Sequence, residues 1–200
     1  MNDFFDIESR LKRRFIGFKP GIIEQTQPYA AVLVPVVIHP EPSILLTVRA
    51  SHLSSHPGQV SFPGGMYEPD DLNVIDTALR ETFEEVALAA ERFDVVGELS
   101  TVFSKDGVLV YPVVAVTQDI DGGFGNPDEI HEIFTVPWRF FVENKPELQP
   151  IERHGMSFMV PHFYYQGRHI WGLTAMIILE LVNLLEDMNY PVPDFSQVKR

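Results

Sequence analysis

A pair of glycines precedes a helical pattern that carries three glutamates within about one turn, and this combination is the most informative feature of the sequence for fold and function. The glycines are Gly64 and Gly65, and the glutamates are Glu81, Glu84 and Glu85. Exposed like charges at these spacings repel one another by about 0.2–0.5 kcal/mol per pair. Three carboxylates beside the free backbone of a glycine turn suit Mg²⁺ or Mn²⁺, because these ions prefer oxygen ligands. The alternative interpretation is an exposed acidic helix face that binds nothing.

The hydrophobic periodicity around these glutamates predicts a helix over residues 72–88. Its apolar positions fall on one face, which is expected to pack on the core: Leu72, Ile75, Leu79, Phe83 and Val86. The three glutamates fall roughly opposite. Glycine lets a ligand approach the backbone closely, so the Pro63-Gly64-Gly65 turn before this helix favours a binding site over a plain acidic surface.

The rest of the chain mixes strand and helix patterns without strict alternation. Helices are predicted at about 3–15 and 174–188, and strands at 30–39, 43–49, 93–103, 108–117, 132–137, 158–165 and 168–170. For a chain of 200 residues this predicts a single domain spanning 1–200. The expected fold class is mixed α/β, with a central mixed sheet and helices on both of its faces.

The composition limits the classes of partner that are expected for this protein. The net charge of −13 disfavours nucleic acid and anionic membranes as partners. Cysteine is absent, which excludes disulfides and thiolate metal sites. No apolar run reaches the length of about 18 residues that a membrane helix needs, and the first residues lack a signal-peptide pattern. A cytoplasmic protein is the expectation.

Residues 65–88 resemble the Nudix box of the Nudix hydrolase superfamily, G-x5-E-x7-R-E-U-x-E-E-x-G-U, where U is aliphatic. The matching positions are Gly65, Arg80, Glu81, Glu84, Glu85 and Leu88. Asp71 stands where the first glutamate belongs, and eight residues rather than seven separate it from Arg80. Thr82 replaces the aliphatic residue after the second glutamate, and Ala87 replaces the last glycine.

A second stretch indicates a subfamily. Residues 45–65, LLTVRASHLSSHPGQVSFPGG, are similar to the signature of the coenzyme A pyrophosphatases within the superfamily. The aspartate and the extra residue of the box are usual there too, and residues 169–175, HIWGLTA, resemble the start of that subfamily's last helix. Ser54 stands where the signature has a second arginine, and this leaves the substrate open.

The resemblance implies a Nudix-type α/β/α sandwich and a divalent-metal-dependent hydrolase using Mg²⁺ or Mn²⁺. The implied substrate is coenzyme A or an acyl-CoA, cleaved to 4′-phosphopantetheine, or its acyl form, and adenosine 3′,5′-bisphosphate. One alternative is a Nudix hydrolase of another nucleoside diphosphate derivative, such as ADP-ribose or NADH. A second alternative is a Nudix-fold ligand sensor without turnover.

The box residues receive roles from the resemblance. Glu81 and Glu85 are predicted as the principal metal ligands, with Glu84 as the third and the carbonyl of Gly64 as a further contributor. Arg80 is predicted to hold a ligand carboxylate by a bidentate ion pair; a simple i,i+4 ion pair with Glu84 is compatible with that role. Arg80 and Glu84 are thus counted among the catalytic residues.

The remaining roles lie outside the carboxylate helix. Glu129 is favoured as the general base, with Glu132 as its competitor, since an exposed strand position suits Glu132 equally. Arg49 is a candidate phosphate contact or a structural ion pair, and His56 is a candidate substrate contact or a packed turn residue. Gly65 is expected to bring its backbone close to the substrate.

One apolar segment leaves the oligomeric state undecided. Residues 175–179 suit either a helix packed on the sheet or a homodimer contact.

Overall fold

The computed structural model describes residues 6–23, 28–153 and 156–192. These ranges contain four α-helices and a 3₁₀ turn: α1 Ile7–Gly17, α2 Val74–Val86, the 3₁₀ turn Ala90–Arg92, α3 Trp138–Glu143 and α4 Gly172–Glu186. The predicted helix at 3–15 therefore extends to residue 17, and its first residues, 3–5, lie outside the described part of the chain. The predicted helix at 174–188 begins and ends two residues earlier. Within the described ranges, no helix is both long and apolar enough to cross a bilayer.

Eleven strands form two sheets in the described ranges. Eight belong to a central sheet: β1 Tyr29–Val37, β2 Ser43–Arg49, β3 Val60–Ser61, β4 Gly64–Met66, β5 Asp94–Glu98, β6 Val102–Phe103, β7 Leu109–Thr117 and β8 Ile130–Pro137. Three form a second, antiparallel sheet: β9 Glu147–Arg153, β10 Met156–Tyr165 and β11 Arg168–Trp171. Strands β1 and β7 run parallel, whereas the other pairs of the central sheet are antiparallel. The prediction of a central mixed sheet is confirmed.

A split between β1 and β2 creates the place for the glycine turn. These two strands pair only at Val36–Ile44 and Val37–Ser43. Beyond that point β3 pairs with β2, and β4 pairs with β1 through Ala31–Gly65 and Val32–Gly64. The segment from residue 60 to residue 66 therefore fills the gap, and both glycines lie inside the sheet rather than in an exposed loop.

The two faces of the central sheet bury separate clusters. Helix α2 covers one face, where side chains from α2, β1, β2 and β7 pack together: Ala31, Leu33, Leu45, Ala78, Val86, Tyr111 and Val113. Helices α1 and α4 cover the other face with the small sheet. Removing this apolar surface from water is the main driving force for the layered arrangement. Residues 175–179 are buried in the chain's own core, so the interpretation of a helix packed on the sheet is confirmed for that segment.

The predicted core face of α2 is wrong in part. Leu72 lies before the helix and is 89% exposed, and Phe83 is 56% exposed, whereas Glu85 is only 2% exposed. The buried positions of the helix are Thr77, Ala78, Thr82, Glu85 and Val86. Small side chains bring the helix close to the sheet, and that closeness carries the Glu85 carboxylate into the interior.

Three strands and one α-helix were absent from the sequence prediction. Strands β3 and β4 are two and three residues long, and α3 is a six-residue helix rich in aromatic residues. Strand β9 carries Pro150 and pairs only with β10, as expected of proline on an edge strand. The segment predicted as one strand over 93–103 forms two strands, β5 and β6.

Candidate metal and active site

Glu85 lies at the centre of the site. Its Oε2 atom accepts a hydrogen bond of 3.1 Å from the backbone N–H of Gly64, and its Oε1 atom lies 3.8 Å from Nη1 of Arg49. The pKa of Glu85 is raised to about 8, chiefly by burial and in part by the charges of Glu129 and Glu81. A carboxylate held in this place repels its acidic neighbours, so a bound cation would lower the free energy of the cluster.

Glu81 lies against the glycine turn. A Cβ atom added to Gly65 would sit 2.5 Å from Cδ of Glu81, so any side chain at this position would displace the carboxylate. Burial raises the pKa of Glu81 despite a hydrogen bond from Arg80, whose Nη1 lies 3.0 Å from Oε1. The turn therefore brings backbone and carboxylate together, as a small cation site requires.

The two glycines differ in what a side chain would strike, and this yields a prediction. At Gly64 an added Cβ would meet backbone, including the Cα atom of Val32 at 2.5 Å, and φ is +151°. At Gly65 it would meet the movable end of Glu81. We expect Gly65→Ala to weaken Mn²⁺ binding with little loss of stability, and Gly64→Ala to lower the melting temperature strongly.

Thermal unfolding in chelator and Mn²⁺ titration of both variants check this prediction. Equal loss of melting temperature in the two variants, with unchanged Mn²⁺ binding in Gly65→Ala, would contradict the placement of Glu81.

Arg80 makes its bidentate ion pair with Asp71. The Nε–Oδ1 and Nη2–Oδ2 distances are both 2.9 Å. The guanidinium also donates one hydrogen bond to Glu81 at 3.0 Å, one to Glu84 at 3.3 Å and one to the carbonyl of Met66 at 3.0 Å. The predicted bidentate pair with a ligand carboxylate is therefore wrong in its partner, and the alternative i,i+4 pair with Glu84 is present.

Asp71 explains two departures from the box pattern. Its side chain is 4% exposed and accepts hydrogen bonds from the N–H of Glu68 and the hydroxyl of Thr77, each at 2.9 Å. The Arg80 guanidinium lowers the pKa of Asp71 to about 2. Aspartate is one methylene shorter than glutamate, and the extra residue of spacing lets the backbone bring the shorter carboxylate to the arginine.

Glu129 lies close enough to the site for its charge to raise the pKa of both Glu81 and Glu85. Its carbonyl accepts a hydrogen bond of 2.7 Å from the N–H of Ala50. There β2 and β8 shift register: Val48 pairs with Glu132 and Arg49 with Ile130. This bulge fixes the segment that carries Glu129 beside the end of β2.

Glu132 is engaged elsewhere. Its carboxylate forms an ion pair with Arg168, whose Nε donates at 3.1 Å, and hydrogen bonding by that guanidinium lowers the pKa of Glu132. The same guanidinium lies 4.5 Å above the ring of Phe134. This pairing favours Glu129 over Glu132 as the general base, which remains a prediction.

Arg49 has an unsatisfied donor beside the acidic site. Its Nε atom is buried and lacks a hydrogen-bond partner in the described part of the chain. The 3.8 Å distance from its Nη1 atom to Oε1 of Glu85 is too long for a hydrogen bond. Buried donors are almost always satisfied. An anionic ligand at this place would complete the arrangement, in agreement with the predicted phosphate contact.

His56 occupies a turn with φ of 55°. Its Nδ1 atom lies 2.9 Å from Oε1 of Gln59, and its Nε2 atom lies 3.7 Å from Oδ2 of Asp106. These contacts fit the interpretation of a packed turn residue, and a substrate contact stays a prediction. Ser54 lies in the same loop and is exposed.

The donor set fits a divalent ion chemically, although its side chains are not gathered around one point. Among the described residues, no three Asp, Glu or His side chains converge closely enough to hold an ion. Glu84 is 51% exposed and held by Arg80, which makes it the weaker candidate of the three. Glu81 is partly buried beside Gly65 and Glu85 is buried beside Gly64. Both offer carboxylate oxygens, the ligands that Mg²⁺ and Mn²⁺ prefer.

Comparisons with known proteins agree with this geometry. The family model described as NUDIX domain matches residues 28–156. The uncharacterized Nudix hydrolase NudL of Yersinia enterocolitica is 40% identical over 164 residues, which cover 82% of this chain and 84% of that protein. The NudL protein of Yersinia pestis is 41% identical over 157 residues, which cover 78% and 79% of the two chains.

Among solved structures, a MutT/nudix family protein from Enterococcus faecalis superposes with a TM-score of 0.50 at 15% identity, covering 90% of this chain and 70% of that one. This likeness concerns the fold. The family match and the NudL similarity show that the chain belongs to the Nudix family of hydrolases. It is accordingly a hydrolase of a nucleoside diphosphate derivative, and the family generally uses divalent metal ions.

Proposed function

We propose that the protein hydrolyses the pyrophosphate bond of coenzyme A or an acyl-CoA in a reaction that depends on Mg²⁺ or Mn²⁺. The products are 4′-phosphopantetheine, or its acyl form, and adenosine 3′,5′-bisphosphate. The observation that carries the proposal is the segment 45–65, which resembles the coenzyme A pyrophosphatase signature. Its Arg49 has a buried Nε atom without a hydrogen-bond partner among the described residues, and the Nη1 atom of the same guanidinium lies 3.8 Å from Oε1 of Glu85.

The carboxylates and the glycine turn supply the metal site. Glu81 and Glu85 would hold the ion, with Glu84 and the Gly64 carbonyl as further ligands. A bound divalent ion neutralises phosphate charge and lowers the pKa of a bound water. Arg80 fixes Glu81 and Glu84 at the distances given above. Glu129 is the residue proposed to take the proton from the attacking water.

Charge is the main obstacle to substrate binding. A protein with a net charge of −13 repels a pyrophosphate, so binding requires local positive charge. Arg49 provides a guanidinium within the site, and its planar fork of donors matches phosphate oxygens. His56 and the backbone of Gly65 are proposed as further contacts to the substrate.

A second candidate is hydrolysis of another nucleoside diphosphate derivative, such as ADP-ribose or NADH. Ser54 favours it, because the signature has an arginine there and this chain offers only an exposed hydroxyl. A ligand sensor without turnover is the third candidate. Retention of Glu81, Glu84 and Glu85 disfavours it.

Product chromatography separates these candidates. The protein is incubated with coenzyme A, ADP-ribose and NADH in turn, each with Mg²⁺ or Mn²⁺ and each with a chelator control. We expect adenosine 3′,5′-bisphosphate from coenzyme A only when metal is present. AMP from ADP-ribose or NADH, with coenzyme A intact, would support the second candidate, and no product from any substrate would support the third.

Ser54→Arg restores the cation of the signature in the loop between β2 and β3. We expect a lower KM for coenzyme A with nearly unchanged kcat, because an exposed ion contact contributes up to about 1 kcal/mol to binding. Ser55→Arg is the matched control, since Ser55 is exposed in the same loop. An equal fall of KM in the two variants would indicate a general charge effect, and an unchanged KM in Ser54→Arg would show that position 54 does not contact substrate.

A further inference from the structure

We propose that Thr77 is a positioning residue for the candidate metal site: its hydroxyl fixes the carboxylate of Asp71, and Asp71 orients Arg80. The inference rests on the proposed function and adds to it a residue that the box pattern leaves unassigned. Thr77 lies in α2 and is fully buried, so its hydroxyl must find its partners inside the protein.

The Thr77 hydroxyl has an acceptor in Asp71 and another in Asn73, and the side chain of Tyr29 also lies close enough to interact with it. Its Oγ1 atom lies 2.9 Å from Oδ2 of Asp71 and 3.3 Å from the carbonyl oxygen of Asn73. A hydroxyl carries one proton, and a hydrogen bond to a charged acceptor is stronger than one to a neutral carbonyl. The shorter and charged contact, to Asp71, is therefore the main one.

The Asp71 carboxylate is held from several directions. Oδ2 accepts from the N–H of Glu68, from Thr77 and from Nη2 of Arg80, whereas Oδ1 accepts from Nε of the same arginine. A carboxylate can rotate about its Cβ–Cγ bond. The two donors besides arginine both hold Oδ2, and they fix the plane in which the guanidinium makes its two parallel bonds.

The orientation of Arg80 reaches the predicted metal ligand. With Nε and Nη2 bound to Asp71, Nη1 donates to Oε1 of Glu81 at 3.0 Å. Loss of a partner that orients a metal ligand costs about 10–100-fold in metal affinity. Thr77 acts through two intervening residues, so we expect an effect near the lower end, about tenfold.

Thr77→Val keeps the shape of the side chain and removes the hydroxyl, whereas Thr77→Ser keeps the hydroxyl. Thr82→Val is the matched control: Thr82 is also fully buried in α2, and its hydroxyl donates to the carbonyl of Ala78 at 2.6 Å, within the helix. The dissociation constant for Mn²⁺ is measured from the spin-resonance signal of free Mn²⁺, with circular dichroism as the check of folding.

We expect Thr77→Val to raise the Mn²⁺ dissociation constant about tenfold, with Thr77→Ser and Thr82→Val close to wild type. Thr77→Ser keeps the hydroxyl but lacks the methyl group. Normal Mn²⁺ affinity in this variant would therefore show that the hydroxyl, and not the packing of the methyl group, is responsible. If Thr77→Val does not fold, Thr77→Ala takes its place with the same expected weakening. Unchanged affinity in the folded variant, or equal weakening in Thr82→Val, would overturn the role of Thr77.

The same titration separates this inference from the proposed function. A wild-type protein that binds Mn²⁺ but cleaves none of the three substrates would overturn the proposed activity and leave the Thr77 comparison valid. A wild-type protein that binds no Mn²⁺ would overturn both.

Discussion

Replacing Glu85 with glutamine is expected to lower kcat for coenzyme A by about 10³-fold or more, because the metal contributes several kcal/mol to the transition state. Glutamine has the same shape but cannot supply the negative charge that a divalent ion needs. The carboxylate is 2% exposed, and its burial is unfavourable when charged. We therefore expect the melting temperature of Glu85→Gln in chelator to equal or exceed that of wild type.

Steady-state kinetics at saturating Mg²⁺ and thermal unfolding in chelator check both parts of this prediction. Glu98→Gln is the control, since burial raises the pKa of Glu98 as well and it lies outside the box. Turnover close to wild type in Glu85→Gln would remove Glu85 from the site. A folded Glu98→Gln variant with an equal loss of kcat would show that the effect is not specific to the box.

Replacing Glu129 with glutamine is expected to lower kcat by about 10²–10⁴-fold, the usual contribution of a general base. KM and the Mn²⁺ dissociation constant should change much less, since Glu129 is proposed to hold the proton rather than the ion. Glu132→Gln is the matched control. Its carboxylate is bound by Arg168, and we expect a loss of kcat of much smaller size.

The pair of variants distinguishes the two carboxylates by the size of the loss in kcat. A larger loss of kcat in Glu132→Gln than in Glu129→Gln would reverse the assignment and show that the ion pair with Arg168 opens during turnover.

The carboxylate helix and the sheet class were predictable from local pattern, but the burial of α2 was not. Periodicity placed Leu72 and Phe83 on the core face, and the structure leaves both largely exposed. Hydropathy treats a glutamate as a surface residue. Glu85 is buried instead, with the Gly64 N–H and Arg49 opposite it in the folded chain, and these groups are 21 and 36 residues away in sequence.

The contacts of Arg80 show a similar limit. The sequence shows that an aspartate replaces the first box glutamate with one extra residue of spacing. It does not show that this carboxylate turns back to take both arms of the guanidinium, which depends on the turn at Glu68 and the cap at Asn73. The contact between the Thr77 hydroxyl and Asp71 was missed for the same reason. The sequence feature that could have indicated this contact is a threonine six residues after Asp71, within the predicted helix.

The splay of β1 and β2 is the tertiary feature on which the site depends. Strand runs at 30–39 and 43–49 predicted neighbouring strands, and they pair only at two positions. Their separation is set by Gly64 and Gly65, which pair with β1 inside the gap. Glycine pairs in sequence indicate a turn, and only the three-dimensional structure shows that the turn lies within the sheet.

The most direct test of the central claim is a crystal structure of the wild-type protein grown with Mn²⁺, with diffraction data collected to locate the ion by its anomalous scattering. We expect an anomalous peak about 2.1 Å from carboxylate oxygens of Glu81 and Glu85, beside the Gly64 carbonyl. A peak elsewhere in the protein, with Glu81 and Glu85 bound only to protein atoms, would contradict it.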